Sequence, residues 1–183
     1  MRSEVYWVHA PFAHPGRLAI APRPRGDDWL IDEVADWRRA GIDTVVSLLE
    51  RSEEAELALL AERDLVRDAG MAFLHHPIED RSIPSSVSAF GELTRGILKE
   101  LFAGKTVLVH CRQGIGRSGL VAAAVLIAGG SGVSRAFAEV EKGRGRPVPD
   151  TNEQRLWLED AAVHFPTAAE QALAPDGAGP GQV

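Results

Sequence analysis

Residues 107–119 read VLVHCRQGIGRSG and hold the chain's one cysteine, Cys111. Arg117 follows six positions later with Ser118 directly behind it, and Gly114 and Gly116 lie between. The two glycines permit positive φ and close approach of the backbone to a ligand. A tight loop that runs into a helix start points several N–H groups into one concavity, where the helix dipole adds positive potential. Arg117 contributes a planar fork that can hold two oxygens of a phosphate. The same field favours the sulfur of Cys111 as thiolate, the nucleophilic form. Ser118 can donate a hydrogen bond to that sulfur and help it leave when a covalent intermediate breaks down. Arg112, Gln113, Gly114, Ile115, Gly116 and Arg117 thus form an oxyanion cradle with a nucleophile at its base. Phosphoryl transfer needs positioning and neutralisation of three equatorial oxygens, and the cradle offers both without a metal or other cofactor. An isolated cysteine in an apolar run is usually just a buried residue. Here the spacing to the glycines, arginine and serine outweighs that reading.

Such a loop needs a strand in front and a helix behind, since ligands on parallel α/β sheets bind beyond the carboxyl ends of strands. TVLVH (106–110) is the strongest candidate for a central strand, and the alanine-rich stretch 119–128 for the helix. LAIAP (18–22), TVVSLL (44–49) and MAFLHH (71–76) read as further strands. Helices are expected from Asp27 or Asp28 to Gly41, over 56–70, from Ser85 or Ser86 through Phe90, Leu93, Ile97 and Leu101, over 134–142 and over 151–164. The alternation implies an α/β fold with a central, mostly parallel sheet flanked by helices on both faces. One domain over 1–165 accommodates these elements. Residues 166–183, rich in Ala, Gly and Pro, are expected to be a disordered tail.

The 183 residues carry a net charge of -6, which argues against nucleic acid or an anionic membrane as partner. A site for an anionic substrate must therefore be local. One cysteine excludes an internal disulfide and points to a reducing compartment. The start of the chain has no signal-peptide core, because His9, Pro11, His14 and Pro15 interrupt it. The longest apolar run, 120–128, is far short of the ~20 residues that span a bilayer. A cytoplasmic monomer is the expectation.

Cleavage of a phosphate monoester also requires a proton for the leaving oxygen, and PIEDRSIPS (77–85) offers Glu79 and Asp80 on a surface loop. HCRQGIGRSG resembles the His-Cys-x5-Arg-Ser/Thr signature of the cysteine-dependent protein phosphatases, in the form used by the dual-specificity branch. FLHHPIEDRSIPS (73–85) is similar to the acid loop of that branch, most closely in the kinase-associated phosphatase group. The likeness runs from about Gly41 to about His164. It implies that Cys111 attacks phosphorus while Asp80, 31 residues earlier, protonates the departing alcohol. Asp80 then activates the water that hydrolyses the phosphocysteine. Glu79 is the alternative acid. The resemblance also implies that Gln154 helps place that water, although the spacing of Thr151 and Gln154 equally fits a helix cap. His110 is implied to orient the loop rather than exchange protons with substrate.

Other readings compete at particular residues. His75 and His76 suggest a metal with His110, but adjacent residues on a strand point to opposite faces. Arg144 and Arg146 read as solvated loop residues rather than substrate contacts, and the four tryptophans as packing. A rhodanese-type sulfurtransferase uses a loop one residue shorter. An inactive phosphopeptide-binding module would lack the cysteine, arginine or acid. The signature accommodates phosphotyrosine, phosphoserine or phosphothreonine on proteins, and phosphoinositides or other small phosphate esters as well. A loop with Arg112 and no lysine favours phosphoprotein.

Overall fold

The structure, a computed structural model, describes residues 4–165. The tail expected over 166–183 lies outside the described residues. Five strands form one sheet: β1 (Tyr6–Val8), β2 (Arg17–Pro22), β3 (Thr44–Ser47), β4 (Ala72–His75) and β5 (Thr106–Cys111). Their order is β1-β2-β5-β3-β4. All neighbours are parallel except β1, which pairs antiparallel with β2. The helices are α1 (Leu30–Arg39), α2 (Arg51–Glu56), α3 (Glu62–Asp68), α4 (Val87–Phe102), α5 (Gly116–Ala128), α6 (Val133–Arg144) and α7 (Asn152–Ala161).

Side chains alternate across the sheet and build a core on each face. Leu18, Ile20, Val107, Val109 and Cys111 pack with residues of α4, α5 and α6. Ala19, Ala21, Val45 and Leu108 pack on the other side with Leu30, Val34 and Trp37 of α1 and Val66 of α3. This period of two puts Cys111 and His110 on opposite faces of one strand. β5 is buried throughout, as its unbroken apolar run requires between two helical layers. α5 is buried along almost its whole length, held between the sheet and the helices α4, α6 and α7. Its alanines follow from that position, because small side chains let neighbours pack closely on every side.

Three elements differ from the sequence reading. β1 is a short edge strand in a stretch whose histidines and prolines mask it, and pairing with Leu18, Ala19 and Ile20 creates it. The helix expected over 56–70 is confined to α3, and the unexpected α2 precedes it across a break at 57–61, where Ala58 takes a left-handed φ of 55°. Leu59, within the break, is buried in the core with Val66 of α3. At the start of α1, Asp27 and Asp28 form a 3₁₀ turn without a side-chain cap. Ser86 does cap α4, accepting the Ala89 N–H at 3.2 Å.

Leu101 is fully buried where α4 meets the sheet, so Leu101→Ala is expected to cost about 2–5 kcal/mol in urea unfolding. Leu156, 52% exposed on α7, serves as control, and Leu156→Ala is expected to stay within about 0.5 kcal/mol of wild type.

Candidate active site

Cys111 is the last residue of β5 and is 2% exposed, with Sγ 3.4 Å from Ser118 Oγ in the first turn of α5. The loop between them packs against the end of β2. Gly114 has a φ of 66°, and a Cβ there would run into the backbone of Ala21 and Pro22, so the turn needs glycine on both counts. The Arg23 N–H reaches the Arg112 carbonyl at 3.4 Å and ties the same edge. At Gly116 a Cβ would strike the Asp150 carboxyl.

Arg144 grips the loop from behind. Its Nε donates to the Gly114 carbonyl at 2.7 Å and its Nη2 to the Gln113 carbonyl at 3.2 Å, while its guanidinium stacks 3.9 Å above the Tyr6 ring. In a trans peptide the N–H lies opposite the carbonyl. Drawing these two carbonyls toward Arg144 therefore turns the N–H groups of Gly114 and Ile115 the other way, the orientation an oxyanion cradle requires. The reading of Arg144 as a solvated loop residue is corrected here. It is the last residue of α6 and is buried. Arg146 is exposed, in agreement with that reading.

Arg117, 2% exposed, is the electrostatic centre. Its Nη1 donates to Glu53 Oε2 at 2.6 Å and its Nη2 to Glu53 Oε1 at 2.9 Å, a two-pronged pair. Nη1 also reaches the Ile78 carbonyl at 2.9 Å and the Leu48 carbonyl at 3.4 Å. Nη2 donates to Asp80 Oδ1 at 2.8 Å. Burial alone would lower the pKa of the guanidinium, but the Glu53 hydrogen bonds and electrostatic attraction to Cys111, Glu53 and Asp80 raise it. Burial likewise pushes the Glu53 carboxyl up, and Arg117 together with the Glu50 N–H brings it below the usual range. Glu53 escaped the sequence reading. Its one local signal is the Glu50–Glu53 capping box at the start of α2, and nothing in the sequence links that box to an arginine 64 residues away.

The remaining candidates surround this centre. Asp80 lies on the loop after β4, its side chain 47% exposed. Glu79, beside it, is exposed. Arg112 stands at the rim with Nη2 2.7 Å from Glu56 Oε1. The cap of α7 is made by Thr151 Oγ1, which accepts the Gln154 N–H at 3.1 Å. The Gln154 side chain is free for another task, and its Nε2 donates to the Ser82 carbonyl of the acid loop at 2.8 Å. His110 is fully buried with Nε2 2.8 Å from Glu62 Oε1. His75 Nε2 lies 2.8 Å from the Leu49 carbonyl, whereas the His76 ring meets Phe90 of α4, so the two point to opposite faces. Among the described residues no three His, Cys, Asp or Glu side chains are grouped to hold a metal ion. Trp37 is buried and Trp157 meets Phe90, but Trp29 is exposed beneath the Arg25 guanidinium.

Glu53→Gln leaves a buried guanidinium short of its counter-charge, and at pH 7 it is expected to cost about 3–5 kcal/mol of stability. The Glu53 carboxyl is held below its ordinary value of 4.5, so this stabilisation is full above that pH and is lost as the pH falls through the folded-state value. Urea unfolding of wild type and variant between pH 7 and pH 3 is expected to show the gap closing on the acid side.

The chain is similar to known proteins. The family model described as "Polymorphic toxin system, DSP-PTPase phosphatase" matches residues 21–131. Over 95 residues the chain is 30% identical to cyclin-dependent kinase inhibitor 3 of Rattus norvegicus and of Homo sapiens. That stretch is 52% of this chain and 44% of those relatives, so less than half of their length is spanned. Among solved structures, kinase associated phosphatase with its catalytic cysteine replaced by serine superposes with a TM-score of 0.82 at 20% identity, over 90% of this chain and 97% of that one. Tk-PTP in its active form gives 0.67 at 35% identity, over 81% of this chain and 92% of that one. With the family model spanning β3, β4, β5, the cysteine loop and the helix behind it, more than half of the chain, the chain belongs to the DSP-PTPase family, the dual-specificity branch of the cysteine-dependent phosphatases.

Proposed function

We propose that this chain hydrolyses phosphate monoesters, phosphotyrosine and phosphoserine or phosphothreonine on proteins, through a phosphocysteine intermediate. The observation that carries the reading is the 2.8 Å contact between Arg117 and Asp80. It brings a carboxyl from the loop after β4 to the fork that faces the nucleophile's loop. Asp80 occupies a donor that a phosphate oxygen would take. Substrate exchanges with it, and the freed carboxyl turns to the leaving oxygen.

In the first step Cys111 Sγ attacks phosphorus in line, the P–O bond breaks, and its electron pair leaves with the oxygen, which takes the Asp80 proton. Arg117 and the loop amides hold the three equatorial oxygens as their charge develops. In the second step Asp80 removes a proton from water as that water attacks phosphorus. Gln154, anchored to the acid loop at Ser82, orients the water. Sulfur departs as thiolate with the Ser118 hydroxyl beside it, and inorganic phosphate is released. Gly114, Gly116 and Ile115 contribute backbone to the cradle, as does Gln113, and His110 holds the end of β5.

A loop without lysine, whose Arg112 is engaged by Glu56, favours phosphoprotein over phosphoinositide. Five residues between Cys111 and Arg117 disfavour sulfur transfer, and an intact cysteine, arginine and acid disfavour a binding-only module. A lone cysteine fits a monomer in the reducing cytoplasm. No helix among the described residues is long and apolar enough to cross a membrane.

Turnover of p-nitrophenyl phosphate is expected to persist in a metal chelator and to vanish in Cys111→Ser. Asp80→Asn is expected to lower kcat by about 10²–10⁴ with a much smaller change in KM. Inorganic phosphate is expected to protect Cys111 from iodoacetate. Unchanged turnover in Asp80→Asn would move the acid elsewhere, and a preference for thiosulfate would replace the phosphatase reading by sulfur transfer. Phosphopeptides, phosphoinositides and sugar phosphates, compared by kcat/KM, then rank the substrates.

A further inference from the structure

We propose that Glu62 is a positioning residue for this reaction and acts through His110. Its kinetic consequence rests on the phosphatase reading above, while its structural content does not.

Alternation along β5 sends Cys111 toward α5 and the His110 ring to the opposite face. There Trp37 of α1 covers the ring, with centroids 5.8 Å apart. Ser47 of β3 is the register partner of His110 and therefore projects from the same face. Glu62, the first residue of α3, brings Oε1 to 2.8 Å from His110 Nε2. All four side chains are buried. Eight buried side-chain polar atoms among the described residues lack an aligned hydrogen-bond partner, and six of them belong to these four residues. They are Trp37 Nε1, Ser47 Oγ, both carboxyl oxygens of Glu62 and both ring nitrogens of His110.

A buried carboxyl without a partner is costly, and so is a buried imidazole. Their mutual approach at Nε2 offers the relief, needing only a change of angle to become a hydrogen bond. The cluster therefore assigns a proton to His110 Nε2, donated toward Glu62 Oε1, because the partner of one ring nitrogen decides where the proton sits. Ser47, the register partner of His110 on the same face, is the other polar residue of the cluster. The ring is then fixed in one orientation at the residue before the nucleophile. The His110 main chain is also clamped, its carbonyl accepting the Leu48 N–H at 3.1 Å. In-line attack tolerates little displacement, and about 1 Å of misplacement can cost about 10²-fold in rate. Glu62 has no path to substrate, since it lies on the far face of the sheet from Cys111. Its influence is on where the sulfur starts.

The test begins with wild type labelled with ¹⁵N-histidine. The ring resonances of His110, assigned through its backbone, are expected to show a proton on Nε2 at neutral pH. A bare Nε2 overturns the proposal without reference to turnover, so this outcome is distinct from a failure of the phosphatase reading. Glu62→Leu removes the acceptor and puts an apolar side chain in the core in its place. It is expected to lose the Nε2 proton signature and to lower kcat about 10–100-fold, with KM for p-nitrophenyl phosphate within about twofold. Glu62→Gln retains an oxygen that can accept the Nε2 proton and is expected to recover the signature and most of kcat. Wild-type kcat in Glu62→Leu, or a Glu62→Gln enzyme as slow as Glu62→Leu, overturns the proposal. Should Glu62→Leu fail to fold, the wild-type spectrum and Glu62→Gln still decide it.

Discussion

A guanidinium buried at the start of a helix is the constraint around which this protein is arranged. Arg117 is almost wholly out of solvent, and an ion removed from water costs several kcal/mol unless its donors are filled and its charge is met. Glu53 meets the charge through two hydrogen bonds, and the carbonyls of Leu48 and Ile78 fill further donor capacity. Three segments are thereby tied to one side chain: the end of β3, the short helix α2 and the loop that follows β4. The pair with Glu53 is close to neutral overall. Beyond it lie the loop amides, the positive end of the α5 dipole and one further Arg117 donor, which Asp80 accepts.

The same loop is set from the other side by Arg144. Arg117 is held through its fork by Glu53, while Arg144 stands behind the loop and holds its carbonyls. The chemistry needs both, because a backbone loop has no preferred polarity until its carbonyls are given partners. Gly114 completes the arrangement by letting the turn lie against the backbone of β2. The acid loop is secured separately, through the side chain of Gln154 to Ser82. The two halves of the site thus rest on different elements, and the Arg117–Asp80 contact is where they meet.

The sheet sets the depth at which all this happens. Because β5 is central and parallel to both neighbours, its carboxyl end opens at one edge of the core, with helices on each side. Alternation then divides labour between adjacent residues: Cys111 faces α5 and the cradle, and His110 faces α1 and α3. The break between α2 and α3 belongs to the same logic. It lets Glu53 approach Arg117 and Glu62 approach His110 from two helices rather than one.

Residue types and spacing within 107–119 were enough to propose a nucleophile, a phosphate fork, a serine partner and a cradle, and strand–helix alternation was enough for the α/β sheet and its two covered faces. That reading works because the loop is contiguous: ten residues with glycines at the required turns leave few conformations that bury the strand and begin a helix. Local pattern could not supply β1, whose pairing alone makes it a strand, or the break at Ala58, which the core imposes on an amphipathic stretch. Nor could it give Arg144, Glu53 or Glu62 their tasks. Each is an ordinary charged residue in its own neighbourhood and acquires a function only when folding buries it beside a group far away in the chain. Sequence determined which atoms could react. Tertiary structure decided which charges they face, because the strength of an electrostatic contact depends on burial and distance, and neither is a local property.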